Sequence, residues 1–272
     1  MVGDWTLSLF AALLCLGSGL LAALAASEFS NFTERTLKTL ASLGFVCLAL
    51  GGLAAVSNLG RPSMILGVFA NPASRLFWEM IGVAGALLTS AAYLAALFRE
   101  ADQTVTRVII LLSALFAFVA TAALGANLVM SWRPVLSSYT LMIPFIGLYW
   151  TAASLSFLLA CELEDADGAK ARASSFAASA VSVIGFSAYI AGLLVNPDTS
   201  EAGQQLVTGV LSLQFWIGCV FCGILLPLAA ALLRKARKLS ASVGLIGVFI
   251  ASFLWQSIIF DIGRAAWHFF NP

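Results

Sequence analysis

Residues 108–130 read VIILLSALFAFVATAALGANLVM, 23 residues without a charge. Coiled as an α-helix at 1.5 Å per residue, the run is about 34 Å long, enough to cross the roughly 30 Å hydrocarbon core of a bilayer. A helix satisfies its own backbone hydrogen bonds, so a run of this kind is stable in lipid. Arg107 precedes it and Arg133 follows it closely. This is the pattern of a membrane-spanning segment with charged flanks.

Seven further runs repeat the pattern, at Trp5–Ala26, Leu37–Ser57, Phe77–Phe98, Leu141–Cys161, Ser174–Val195, Leu211–Leu233 and Ala241–Phe260. Hydrophobic residues make up 61% of the 272-residue chain and charged residues 10%, against about 25% charged in soluble domains. The mean hydropathy of +0.99 agrees. The fold class read from this is an all-α integral membrane protein of eight transmembrane helices, expected as two four-helix bundles. Residues 1–272 form a single transmembrane domain with no soluble portion. No lysine or arginine precedes the first run, so a retained first helix is expected rather than a signal peptide. The net charge of +1 supplies no field for nucleic acid.

Orientation follows from the lysines and arginines of the connections. One side collects ten: Arg35, Lys38, Arg99, Arg107, Lys170, Arg172, Arg234, Lys235, Arg237 and Lys238. The other has four: Arg61, Arg75, Arg133 and Arg264. Both termini are therefore predicted on the outer side, which in a bacterial cytoplasmic (inner) membrane is the periplasm. With that direction, most polar residues inside the runs fall near the outer ends: Glu79, Asn127, Gln214, Gln256, Asp261, Arg264 and His268. The inner ends are predicted to carry only interfacial charges such as Glu162.

Polar groups inside a membrane are costly and mark function. Glu79 follows Phe77-Trp78 and opens a strongly apolar run, a setting suited to a carboxylate that takes or gives a proton. Gln214 and Gln256 read equally well as interfacial anchors. Asp261 and Arg264, at i,i+3 spacing, read as an ion pair on one helix face. Trp5, Trp78, Trp132 and Trp267 fit an outer aromatic belt. The outer loop 58–76 mixes Gly, Pro, Asn and two arginines with Met64, Ile65, Leu66, Val68 and Phe69, as a re-entrant or surface segment would.

Several chemistries are excluded. One histidine, His268, cannot supply a bis-histidine haem, and Cys15, Cys47, Cys161, Cys219 and Cys222 cannot hold an iron–sulfur cluster. Cys219 and Cys222 have redox-motif spacing but lie inside an apolar run, where cysteine packs as a small apolar residue. Nothing reads as a P-loop, a zinc site or a serine triad. Gly44, Gly51-Gly52, Gly82 and Gly85 are predicted to serve close helix packing.

The pattern Ser57-Asn-Leu-Gly-Arg-Pro62, followed about sixteen residues on by Trp78-Glu79, resembles the membrane-anchor subunit of the dimethyl sulfoxide reductase family. The ending Asp261-Ile-Gly-Arg264 is similar to the close of that family's last helix. The resemblance implies a haem-free and metal-free anchor for a molybdopterin catalytic subunit and a four-cluster iron–sulfur subunit. It implies a menaquinol site with Glu79 as proton acceptor, and with the outer polar residues the candidate quinol-binding set is Asn58, Arg61, Glu79, Asn127, Gln256, Asp261, Arg264 and His268. The family's histidine falls at Asn58, which cannot accept a proton at neutral pH. Either Glu79 handles the proton alone, or His268 substitutes, or the donor differs. The alternative function is a secondary transporter with a substrate site in the outer polar cluster. It is disfavoured by span midplanes free of helix breaks, since Pro144 and Pro227 lie near span ends.

Overall fold

The structure, a computed structural model, describes residues 4–30, 32–58, 67–233 and 237–265. The described residues form helices α1 (Asp4–Phe29), α2 (Glu34–Ser57), α3 (Arg75–Phe98), α4 (Gln103–Asn127), α5 (Met142–Leu163), α6 (Ala169–Val195), α7 (Ser200–Val207), α8 (Leu226–Leu232) and α9 (Arg237–Ala265). A π-helical segment, Gln214–Leu225, runs directly into α8 and makes one span with it. Eight of these helical units are long and apolar enough to cross a membrane. They match the eight apolar runs with ends shifted by a few residues. The short α7 lies between the sixth and seventh spans, where the apolar runs have only a connection.

The π-helical stretch has a local cause. Pro227 has no N–H to donate back along the helix, and its ring crowds the carbonyl four residues earlier. Widening the preceding turns to an i→i+5 pattern relieves that conflict without ending the span. Cys219 and Cys222 both lie on this widened stretch as free thiols.

Packing closes two rings. In the first, α1 packs on α2, α2 on α3, α3 on α4, and α4 back on α1. In the second, α5 packs on α6, α6 on the seventh span, the seventh on α9, and α9 back on α5. These are the two four-helix bundles expected from the sequence. They meet through α1 against α5, α1 against α9, and α4 against α5. Exchanging the halves maps α1·α9 onto α5·α4, so the connections obey a pseudo-twofold relation about the α1–α5 contact. Each half has an even number of spans, so the relating axis runs along the membrane normal.

Lipid offers no hydrophobic drive between helices, so close approach through small residues sets these contacts. A Cβ on Gly82 would stand 2.5 Å from the backbone nitrogen of Ala120, which fixes the α3–α4 spacing. One on Gly19 would meet Ala152 Cβ at 2.5 Å and the Ala153 nitrogen at 2.8 Å, at the seam between the halves. Gly44 and Gly85 are also crowded, against Leu21 and Phe116. Gly52 departs from the sequence reading: nothing lies within 4 Å of its added Cβ, because it faces away from the bundle.

Candidate functional site

The carboxylate singled out by the sequence is buried. Glu79 lies one turn into α3 at 7% exposure and accepts a hydrogen bond at Oε2 from the Asn127 side-chain amide. Asn127 is the last residue of α4, so the pair spans the α3–α4 contact that Gly82 keeps tight. No ion pair to Glu79 is present among the described residues.

Arg75, first residue of α3, lies one turn before Glu79 and ties α3 to the end of α4. Its Nη1 donates to the carbonyl of Ala126 at 2.9 Å and to that of Val129 at 2.5 Å, and its Nη2 donates to Tyr139 Oη at 3.0 Å. The guanidinium also lies over the Tyr139 ring, 5.4 Å from its centroid. Carbonyls at a helix C-terminus lack intrahelical partners and carry partial negative charge, so a cation there is stabilising. Arg133 does related work one loop later. Its Nη1 donates to the Gly263 carbonyl at 3.1 Å, and its guanidinium sits 4.4 Å from the Trp132 ring centroid. Both arginines thus hold elements of this chain together at the face where Glu79 lies.

The remaining sequence-derived site residues are not assembled around Glu79. Asn58 caps the end of α2 through its backbone N–H, which donates to Ala55 at 3.2 Å, and no hydrogen bond joins it to Glu79. Gln256 is 3% exposed in α9, in the other four-helix half, and its Oε1 has no partner among the described residues. Gln214 Oε1, at the start of the seventh span, is likewise buried without a partner. Asp261 is partly exposed near the end of α9. Arg61, His268, Trp267 and the Arg264 side chain lie outside the described residues, as do residues 59–66 of the loop 58–76. Trp5, Trp78 and Trp132 are all more than half exposed, as belt residues facing lipid headgroups are.

The opposite face corrects one expectation. Polar chemistry is not confined to the Glu79 side. Glu28, near the end of α1, is 5% exposed and accepts hydrogen bonds from Tyr93 Oη at 2.5 Å and Thr106 Oγ1 at 2.9 Å. This links α1, α3 and α4 at the far end of the same bundle that holds Glu79. Arg107 lies over the neighbouring Phe29 ring, 5.4 Å from its centroid. Nearby, Glu164 accepts hydrogen bonds from Thr33 and Thr36, which hold its carboxyl below the ordinary carboxylate range. Glu28 escapes sequence reading because Ser27, Glu28 and Ser30 look like a loop. The available signal was depth: Tyr93 and Thr106 both sit close to the α3–α4 turn on that same face.

No family model matches the chain, and no curated protein matches it. Functional assignment therefore rests on the residues themselves.

Proposed function

We propose that the chain is the quinol-oxidising membrane anchor of a molybdopterin and iron–sulfur oxidoreductase. The observation that carries this reading is the buried Glu79 carboxylate, held by one neutral amide at the end of a span. An intramembrane carboxylate without a cation is a proton-handling group by default. Menaquinol oxidation yields the quinone, two protons and two electrons. Glu79 takes one of the protons at Oε1, the oxygen that Asn127 leaves free, the other leaves to water at that face, and the two electrons pass to an iron–sulfur partner docked there. The excess of lysine and arginine on the Glu28 side supports a periplasmic docking face in a bacterial inner membrane. Asn58, Arg61, Asp261 and Arg264 join the candidate quinol site through the motifs of the sequence resemblance, and His268 as a substitute for the family histidine.

The alternative is a secondary transporter. It draws support from Glu28, which gives the first bundle a buried carboxylate on each face. Purification in mild detergent separates the two readings. The anchor co-isolates with a molybdopterin subunit and an iron–sulfur subunit, and its Glu79→Gln variant assembles but no longer supports menaquinol-dependent reduction. A chain that purifies alone and moves a solute into liposomes excludes the anchor reading.

A further inference from the structure

The seam between the two four-helix halves carries a feature that quinol chemistry does not use. Two clefts open along it, both toward the membrane face that holds Glu28. One, of about 300 Å³, is lined by α1, α2, α5 and α9 through residues including Leu20, Leu43, Cys47, Leu159 and Ile246. The other, of about 620 Å³, is lined by α1, α4, α5 and α6 through Phe118, Tyr149, Trp150, Phe157 and Ser174. The pseudo-twofold exchange of the halves converts the first set of helices into the second. Two independent stretches of sequence thus build equivalent hollows.

Each cleft is open to the side. Leu43 and Ile246 are 50% and 59% exposed at the first, and Phe118 and Trp150 are 41% and 38% exposed at the second. Each also has a cation at its mouth. Lys170, second residue of α6, lines the second cleft directly. Arg35, second residue of α2, lines a shallow polar hollow that shares Thr39 and Leu43 with the first cleft. Lys38 beside it is neutralised by Glu34 at 2.6 Å, whereas Arg35 and Lys170 make no ion pair among the described residues.

We infer that each cleft binds one anionic phospholipid, with an acyl chain in the apolar hollow and the phosphate against Arg35 or Lys170. The occupant is fixed by complementarity. The hollows face hydrocarbon, so a chain fills them, and a free cation at the headgroup level attracts an anion. The lipids occupy gaps at the seam that the α1–α5 contact leaves open. This inference is independent of the quinol reading.

The test is lipid retention by the full chain. The protein is reconstituted in vesicles of phosphatidylglycerol and phosphatidylcholine, re-extracted in detergent, and its bound lipid identified by native mass spectrometry. Phosphatidylglycerol is expected to persist, one molecule per cleft, while phosphatidylcholine washes away. Arg35→Gln and Lys170→Gln are each expected to lower retention at their own cleft about fivefold, the equivalent of the roughly 1 kcal/mol that one cation contributes near an anionic leaflet. Equal retention of the two lipids by the unaltered chain overturns the inference, and that comparison needs no variant to fold. Retention unchanged in the double variant overturns it as well, leaving only exchangeable boundary lipid.

Discussion

Arg75 and Glu79 stand one helical turn apart on α3 and do not pair with each other. Arg75 turns to the carbonyls of Ala126 and Val129 and to Tyr139, while Glu79 accepts from Asn127. Charges at i,i+4 ordinarily find one another on a helix surface. Here the end of α4 comes between them, offering carbonyls to the cation and an amide to the carboxylate. The carboxylate is left without a counter-ion, the condition under which it can exchange a proton with a ligand.

Replacing Arg75 tests the cap. Arg75→Gln removes the charge at the α4 C-terminus and the forked hydrogen bonds, and is expected to cost about 1–2 kcal/mol. Arg75→Lys retains the charge without the fork and should recover part of that loss. Thermal unfolding in detergent reads both, and equal midpoints for all three proteins would show that the cap contributes nothing.

Asn127 tests the carboxylate. Asn127→Leu leaves Glu79 buried with no described partner, and an unsatisfied buried polar group costs about 1–3 kcal/mol. Combining it with Glu79→Leu removes both ends of the interaction, so the double variant should be more stable than the Asn127→Leu single. Additive losses in this cycle would contradict the pairing.

Glycine contacts separate helix spacing from composition. Gly82→Leu drives a side chain into the backbone of Ala120 and is expected to force α3 and α4 apart, with loss of folded protein. Gly52→Ala meets nothing and should be neutral, or stabilising by up to about 1 kcal/mol through the entropy lost from the unfolded helix. Folded yield by size-exclusion chromatography distinguishes the two.

The contrast shows what a linear reading captures. Span positions were legible because lipid demands long uncharged runs, and Glu79 stood out as a carboxylate at the edge of one. Asn127 was legible as a polar residue near the same face. Their pairing was not, since it depends on the α3–α4 distance that Gly82 and Ala120 set across 38 residues of chain. The role of Arg75 was hidden for a related reason: its acceptors are backbone carbonyls, which no side-chain pattern reports. Glu28 was missed because Tyr93, its donor, reads as one more aromatic residue in an apolar run.

Glu28 has its own prediction. Tyr93→Phe removes one of two hydroxyl donors to the buried Glu28 carboxyl and is expected to destabilise by about 1–3 kcal/mol, the range for leaving a buried polar group short of a partner. Tyr189→Phe removes a bond to a neutral acceptor, the Val135 carbonyl at 3.0 Å, and should cost about 0.5–1.5 kcal/mol. The two tyrosines are both almost fully buried, so the comparison sets a carboxyl acceptor against a backbone carbonyl acceptor.

Glu164 gives the dependence on pH. Hydrogen bonds from Thr33 and Thr36 lower its folded-state pKa relative to the unfolded chain, so the unfolded state binds the proton more readily. Its contribution is therefore complete above the ordinary carboxylate value of about 4.3 and is lost as pH falls through the lower folded-state value. Glu34, Glu162, Asp165, Asp167 and Arg172 lie on the same face, so the contribution is read as a difference between proteins. Thr33→Val with Thr36→Val should lower the unfolding midpoint at pH 7 relative to the unaltered chain. That gap should close as both are taken below pH 4. A gap constant across the range would mean that the two threonines stabilise the fold without engaging the Glu164 charge.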